Sequence, residues 1–346
     1  MTVSSIQVQV HQDDSDLMNL KHEWKDLLER STTNTLFQTW QWNQLWWKHF
    51  GRSGGLFLMT VRSNHGELLG IAPFFRDLNE KKRKRLQFIG GTDLSDYLDF
   101  IVWQGKEPLF YSAVSEFLNS HPKFWEVLDL HCLPADSPAL HGFIGSYQKE
   151  GFRKSLSVED VCPRVQLPSS WDEFLAGMSQ KNRHEIRRKA SRIRREAEGY
   201  RYLVTTRVSF SEDIESFLEL HRQSDVEKIA FMNPKRETFF REMAWILLQE
   251  GWLELSFLEV NGSKLAGLLN FRYGDTAYVY NSGYDPEFGR WSPGWVLISL
   301  SIQDAIEWGL KNYDFMRGNE PYKYRFGARD FEIYRYTIQR REEHLH

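Results

Sequence analysis

The sequence predicts an α/β fold built from two similar halves, and three observations lead to that prediction. Along the whole chain, stretches with the β-branched and aromatic character of strands alternate with stretches whose apolar residues recur at helical spacing. Two strands joined by a polar turn lie at residues 56–75 and occur again at 252–273, a repeat of about 190 residues. Each copy is followed by strand, helix and strand, ending in VLDL in the first half and in YDF in the second. We therefore expect two α/β domains, at residues 1–165 and 166–346.

The composition suits a folded protein and excludes several classes of function. With 41% apolar and 15% aromatic residues among 346, the chain can build two well-packed cores. Its formal net charge of −3 argues against a globally basic nucleic-acid-binding protein. The cysteines Cys132 and Cys162 provide neither a disulfide framework nor a cysteine-based zinc site, and we expect no bound metal.

The start of the chain does not have the pattern of a signal peptide. It lacks a positively charged stretch followed by an apolar one. No apolar run in the sequence reaches the length needed to cross a membrane. We therefore expect a cytoplasmic protein without a membrane span.

The first half reads as an alternation of strands and helices, with an aromatic helix near its start. The stretch at residues 36–50 is rich in tryptophan and ends before Gly51, and we expect its rings to lie in a core rather than to stack on sugars or bases. The other predicted elements are strands near 6–10, 56–62, 68–75, 95–102 and 124–133, and helices near 17–28 and 109–118.

A glycine pair followed by acidic residues lies at 90–99. Glycines at such a turn let a ligand approach the backbone closely, whereas the alternative is a turn that these carboxylates cap. The candidate substrate-binding residues here are Asp96, Tyr97 and Asp99.

A strongly basic helix is predicted near the start of the second half. The stretch at 181–195 carries eight Lys or Arg residues and one acid, Glu185. Because like charges at helical spacing repel, we expect either an anionic ligand here or a solvated face that serves solubility. The anions considered are the phosphates of a coenzyme, a tRNA and an anionic lipid-linked sugar.

The most informative stretch of the second half begins with a strand at 278–280 and continues into a helix. Ser292 is expected to cap that helix, and Pro293 suits its first position. A helix start that faces the mouth of a sheet favours phosphate, because its N–H groups and its dipole attract anions. A polar group follows the next strand, at Asp314, Arg317, Glu320, Tyr322 and Lys323, where open α/β sheets bind ligands.

This stretch carries a resemblance to a known family. A strand, a helix opened by SPG, and a strand and tail with the pattern YDF-x-RG-x-E-x-YK-x-RFGA resemble the BioF2-like/CelD group of GNAT-fold acyltransferases, relatives of the FemABX aminoacyltransferases. The resemblance implies tandem GNAT-like (acyl-CoA N-acyltransferase) domains, each a mixed, mostly antiparallel sheet flanked by helices. The SDYLDF run and the basic stretch also look typical of the family.

The resemblance also implies a donor site. In GNAT proteins the turn between the fourth strand and the next helix cradles the coenzyme A pyrophosphate, and RWSPG stands there in place of the usual arginine- and glycine-rich turn. The residues then expected to bind acyl-coenzyme A (acetyl-CoA) are Arg290, Trp291, Ser292, Pro293, Gly294, Trp295 and Val296.

Acyl transfer to an amine needs a base for the amine proton and an acid for the leaving thiolate. The candidate bases are Glu320 and Asp285, and the candidate acids are Tyr322 and Tyr284. Glu320 and Tyr322 would share one face of an extended strand. The candidates for holding an anionic substrate or the developing oxyanion are Arg317 and Lys323, while His221 is a further candidate although a lone helical histidine is more often structural.

We therefore expect an acyltransferase of the GNAT type. Its acceptor would be an amine or hydroxyl of a saccharide, an amino acid, or a cell-envelope or exopolysaccharide precursor, which the family resemblance favours. The first alternative is a FemABX-like transfer from aminoacyl-tRNA to a peptidoglycan precursor. The second is a non-catalytic GNAT scaffold in polysaccharide biosynthesis.

Overall fold

Two mixed sheets organise the chain, one in each of two units. The computed structural model describes residues 6–51, 54–145, 151–197 and 199–340. The first unit comprises Met1–Val161 together with Phe331–His346, and the second comprises Cys162–Asp330. The helices and the two mixed sheets confirm the predicted α/β class.

The first unit starts with β1 (Gln7–His11), and its helices cover a sheet whose last strand comes from the end of the chain. The further elements are α1 (Asp14–Asn19), α2 (Lys21–Glu29), α3 (Trp40–Phe50), β2 (Gly55–Arg62), β3 (Leu68–Leu78), β4 (Lys84–Phe88), β5 (Ile101–Val102), α4 (Glu107–Ser120), β6 (Val127–Pro134), α5 (Gly142–Gly145) and β7 (Phe152–Val161).

The second unit starts with β8 (Arg164–Gln166) and is richer in helix. Its further elements are α6 (Trp171–Gly177), α7 (Gln180–Glu196), β9 (Arg201–Val204), α8 (Phe210–Ser224), α9 (Val226–Phe231), α10 (Pro234–Gln249), β10 (Leu253–Val260), β11 (Ser263–Tyr273), β12 (Thr276–Tyr284), a 3-10 turn (Pro286–Trp291), α11 (Pro293–Glu307), β13 (Asn312–Asp314) and α12 (Pro321–Arg325). The last strand, β14 (Glu332–Arg340), returns to the first unit.

Six strands of each sheet follow the same order, which confirms the repeat read from the sequence; the first sheet has β5 and β7 in addition. The first runs β1-β2-β3-β4-β6-β14-β7, with β5 beside β3, and the second runs β9-β10-β11-β12-β13-β8. Within the described residues, each sheet has a single parallel pair, β4 with β6 and β12 with β13, and a helix connects the two strands of each pair. Both sheets are therefore mixed and mostly antiparallel.

Each parallel pair is flanked by a strand from a distant part of the chain. In the first sheet β14 lies antiparallel to β6, and in the second β8 lies antiparallel to β13. The predicted boundaries, 1–165 and 166–346, differ from this arrangement, because residues from Phe331 onwards belong to the first unit and the second begins at Cys162. The pairing of β14 is a long-range choice that local periodicity cannot reveal.

Several local predictions can be compared with the structure. The tryptophan-rich stretch is helical and its Trp40, Trp42, Trp46 and Trp47 are buried, which confirms the core interpretation. The strand predicted at 95–102 was too long, since only Ile101–Val102 pairs. Gly70 is required by packing, because a Cβ there would lie 2.3 Å from the ring of Phe110. No helix in the described ranges is both long and apolar enough to cross a membrane.

Candidate functional site

The second unit has an opening at the end of its parallel pair. β12 and β13 pair from Thr276 with Asn312 to Tyr278 with Asp314, and the pairing does not continue although β12 runs on to Tyr284. The register between β12 and β11 shifts at Tyr280, so that this residue forms a bulge, which bends and twists a strand. The result is a gap at the carboxyl ends of parallel strands, where open α/β sheets bind ligands.

The start of α11 borders this opening. Its first turn contains no acidic residue, and a Cβ added to Gly294 would meet no atom within 4 Å. Backbone N–H groups in such a turn are accessible to an anion. The expected Ser292 cap is wrong, since Ser292 adopts the left-handed conformation with φ 51° and ψ 54° and its side chain caps no N–H group. The backbone of the turn, rather than the serine hydroxyl, is what a ligand would meet.

The tryptophans predicted to bind the cofactor are held by neighbouring helices. Trp291 is buried, and its indole N–H donates to the carboxylate of Glu196 on α7 at 3.1 Å. The Trp295 ring lies 4.1 Å from the ammonium of Lys189 on α7. Val296 is buried and Arg290 is exposed, its guanidinium 4.8 Å from the Trp291 ring. These side chains build the wall of the turn and leave its backbone near Gly294 open.

Lys323 has a different role from the predicted one. It is buried, and its ammonium donates to the carbonyls of Met316, Arg317 and Gly318 at 3.0, 2.9 and 2.8 Å. These three carbonyls and the Glu320 carboxylate surround the ammonium, so Lys323 holds the loop after β13 in place instead of binding a substrate.

The predicted extended strand at Glu320 and Tyr322 is also wrong. Pro321 starts the short helix α12, and Glu320 is the residue before it. Proline suits a first helical position, so this signal was present in the sequence. Glu320 and Tyr322 therefore do not alternate on a strand face.

Glu320 and Tyr322 still lie at the opening as a carboxylate and a phenol. The Glu320 side chain is 55% exposed and forms an ion pair with Lys323 at 2.9 Å. Tyr322 is half-buried beside Phe315, with ring centroids 6.0 Å apart. Burial and the Glu320 carboxylate both raise the pKa of Tyr322. Arg317 is half-buried, and its carbonyl is one of those that Lys323 holds.

Lys228 on α9 is a site residue that sequence reasoning missed. Its ammonium donates to the Ser282 carbonyl of β12 at 2.5 Å. Burial lowers the pKa of Lys228, while the carboxylates of Asp225 and Glu320 act in the opposite direction. A positive charge thus lies near Glu320, against the part of β12 that β13 leaves unpaired. No motif surrounds Lys228, so only the packing of α9 on β12 reveals it.

His221 is buried and neutral rather than exposed to a substrate. Burial, together with the Lys228 charge, lowers its pKa to about 4 against an opposing hydrogen bond to Asn281. Its Nδ1 has no hydrogen-bond partner in the described part of the chain. Its backbone lies so close to β12 that a Cβ on Gly283 would be 2.4 Å from the His221 nitrogen.

The remaining candidate base, Asp285, and candidate acid, Tyr284, differ in whether their side chains already have a hydrogen-bond partner or are exposed to solvent. Asp285 caps the 3-10 turn, since its Oδ1 accepts the Glu287 N–H at 2.9 Å. Tyr284 is 38% exposed, and its backbone N–H donates to Ser224 Oγ at 2.9 Å. The side chain of Tyr284 is thus partly open to solvent, whereas the Asp285 carboxylate already accepts a backbone N–H.

The candidates at 96–99 belong to the first unit. Tyr97 and Asp99 are buried, and Asp96 is half-buried. Burial raises the pKa of Asp99 to about 7, against hydrogen bonds from Ser137 and from the Phe100 N–H. Two of the three predicted substrate-binding residues are thus interior residues.

Comparisons with known proteins support the fold. Residues 180–324 match the family model described as an acetyltransferase (GNAT) domain. A crystal structure of FemX superposes with a TM-score of 0.65 at 13% identity, covering 95% of this chain and 96% of that one. The C-terminal domain of a putative lysylphosphatidylglycerol synthetase from Agrobacterium fabrum gives 0.57 at 10% identity, covering 94% and 92%. L-PGS from Bacillus licheniformis gives 0.54 at 13% identity, covering 94% and 93%. No curated protein matches the sequence.

Proposed function

We propose, for a chain whose two units form a tandem GNAT fold related to that of FemX, the transfer of an acyl group from acyl-coenzyme A to an amine or hydroxyl. The acceptor would be a saccharide, an amino acid, or a cell-envelope or exopolysaccharide precursor. The observation that carries this proposal is the gap between β12 and β13 beside the open start of α11.

The donor fits the second unit through its phosphates. The backbone N–H groups of Gly294 and Trp295 would bind the pyrophosphate, since Pro293 has no N–H and the Val296 N–H donates to the Ser292 carbonyl. The first turn of α11 carries no acid, and Gly294 leaves room for close approach. The arm that bears the thioester would enter the gap along β12, where the backbone is not paired to β13. An N–H group at such an edge can donate to the thioester oxygen as negative charge develops on it.

The acid–base roles fall to groups on the two sides of the gap. Glu320 would accept the proton of the acceptor amine as nitrogen attacks the thioester carbon. The C–N bond then forms, the C–S bond breaks, and Tyr322 or the exposed Tyr284 gives its proton to the leaving thiolate. Lys228, whose charge interacts with that of Glu320, would stabilise negative charge in the gap.

Release of free coenzyme A from acetyl-CoA in the presence of amino sugars and amino acids tests the proposal. Glu320→Gln keeps the side-chain size and removes the charge, so turnover should fall about 10²–10⁴-fold while donor affinity stays unchanged. The exposed Glu287→Gln serves as the control and should keep the wild-type rate. Wild-type turnover by Glu320→Gln would exclude Glu320 as the base.

A second candidate is transfer from aminoacyl-tRNA. The observations that favour it are the basic helix α7 and the fold shared with FemX. Binding of tRNA that weakens steeply with rising salt, without binding of acetyl-CoA, would favour this candidate. Absence of both would favour the non-catalytic scaffold.

A further inference from the structure

A cavity of about 310 Å³ lies between α6, α7 and α11, apart from the gap that holds the reacting groups. It runs along α11 from Val296, in the first turn, to Gln303. Its other walls include Trp171 of α6, Arg187 and Arg194 of α7, and Tyr200. The cavity therefore begins where the donor phosphates are proposed to bind and extends away along the helix.

The charges of α7 are divided between two faces. On one face the basic residues have acidic partners on the same helix. Glu185 pairs with Arg188 at 2.7 Å and with Lys189 at 3.5 Å, and Glu196 pairs with Arg192 at 3.2 Å.

The opposite face of α7 carries arginines without such partners. Arg183, Arg187 and Arg194 follow one another at intervals of four and seven residues, so they share one stripe of the helix. Within the described ranges none of them forms an ion pair with an acid. Two members of this arginine stripe, Arg187 and Arg194, line the cavity. The uncompensated charge is thus directed to the cavity, and its natural counterpart is an anion.

The remaining walls suit an aromatic ring with a polar edge. Trp171 stacks on Phe174 with centroids 5.1 Å apart, and Tyr200 has the Arg194 guanidinium 5.3 Å from its ring. Flat, half-buried rings of this kind are surfaces on which a base can stack. Asp172 and Gln303 also line the cavity. A carboxylate there disfavours a ligand that is anionic throughout, but it accepts a hydrogen bond from an exocyclic amino group.

Taken together, these walls combine a phosphate-binding side, ring faces and an acceptor for an amino group, in a volume at the lower end of small-ligand pockets. We infer that the cavity binds the 3′-phosphoadenosine end of the donor coenzyme, with the 3′-phosphate on Arg187 and Arg194. This inference rests on the proposed function, because it continues the ligand from the phosphates at the start of α11.

Calorimetric titration of coenzyme A and of dephospho-coenzyme A, which lacks the 3′-phosphate, tests the inference. Wild-type protein should bind coenzyme A about tenfold more tightly. Arg187→Gln and Arg194→Gln should each remove most of that difference by weakening coenzyme A alone. Arg188→Gln, on the ion-paired face of the same helix, is the matched control and should leave both affinities unchanged.

The other outcomes separate the failure of this inference from failure of the proposed function. If coenzyme A binds, and Arg187→Gln and Arg194→Gln both keep the wild-type preference for coenzyme A over dephospho-coenzyme A, the cavity is not the nucleotide site. The proposal that coenzyme A is the donor would then be unaffected. If wild-type protein binds no coenzyme A, both proposals fall. Loss of tRNA binding in the two variants, with coenzyme A affinity intact, would overturn the inference in favour of RNA. Because both arginines are exposed, circular dichroism should show an unchanged fold.

Discussion

The two units use the same strand order but end their parallel pairs differently. In the first unit α4 carries Glu107 in its first turn, and Leu109 follows its proline. In the second, α11 has no acid in its first turn, and Gly294 follows its proline. An acid disfavours phosphate at a helix start and a branched side chain restricts close approach. Strand order thus sets the architecture of both units, whereas, on the function proposed above, the residues at one helix start would decide which unit binds the donor.

The interiors near these helix starts differ in the same sense. In the first unit Phe100 packs against Phe143 and Phe88, with centroids 4.7 and 5.2 Å apart. In the second, the corresponding end of the parallel pair has the charged groups of Lys228, Glu320 and Lys323. Aromatic packing stabilises a scaffold, while charged groups around a gap suit chemistry.

Both units contain the same kind of buried aspartate–arginine pair. A buried aspartate on the strand after the crossover helix pairs with an arginine from the neighbouring distant strand. Asp129 receives Arg335 Nε at 2.8 Å, and Asp314 receives Arg164 Nε at 2.7 Å. Burial would raise the pKa of Asp129, but the hydrogen bonds from His131 and Arg335 outweigh it and lower the pKa.

The largest effect should come from breaking these pairs. Arg164→Met leaves the Asp314 carboxylate buried without its arginine and should cost about 3–5 kcal/mol. Arg335→Met should cost about 1–2 kcal/mol, because Asp129 keeps Arg85 and His131. Urea unfolding monitored by fluorescence would measure both. Equal losses of unfolding free energy in the two variants would contradict the expected difference between the two ion pairs.

A pH-dependent effect should distinguish Asp99 as an interior group of the first unit. Its folded pKa of about 7 lies above the ordinary value of 3.8, so the folded state holds the proton more tightly. The free energy of unfolding should therefore decrease as pH rises from about 4 to about 7, on the order of a few kcal/mol, and not beyond. Asp99→Asn should flatten this slope in urea titrations across that range, and the exposed Asp93→Asn should preserve it. An unchanged slope in Asp99→Asn would assign the dependence to other groups.

The smallest effect concerns the helix caps. In the first unit the Thr39 hydroxyl accepts the Trp42 N–H at 3.3 Å, so Thr39→Ala should cost about 1 kcal/mol. The Ser292 side chain caps no N–H group, so Ser292→Ala should change stability by no more than about 0.3 kcal/mol. Thermal melts of both variants give the comparison. A larger loss in Ser292→Ala would show that the hydroxyl does cap α11 in solution.

Local patterns predicted much of the fold because the determinants are local. The sequence places Ile298, Ile302 and Ile306 at helical spacing, and these residues are buried on one face of α11. The paired strands at 56–75 and 252–273 revealed the repeat. The placement of β14 in the first sheet was not predictable, because its partners are remote in sequence.

The site was predicted only in part, for physical reasons that differ between residues. The open helix start at Gly294 follows from sequence rules for helix termini. The carbonyls that occupy Lys323 and the burial of His221 depend on tertiary packing, which residue types do not specify. Pro321 favours a helix start, so the sequence already argued for α12 and against an extended strand through Glu320 and Tyr322.

We propose that the second unit alone binds the donor, at the start of α11. Calorimetric titration of acetyl-CoA should give one site per chain. Gly294→Val adds side-chain atoms where the backbone must meet phosphate and should weaken binding at least about tenfold, whereas Leu109→Val at the equivalent helix start of the first unit should leave it unchanged. Two sites per chain, or equal affinities for Gly294→Val and the wild type, would contradict the claim.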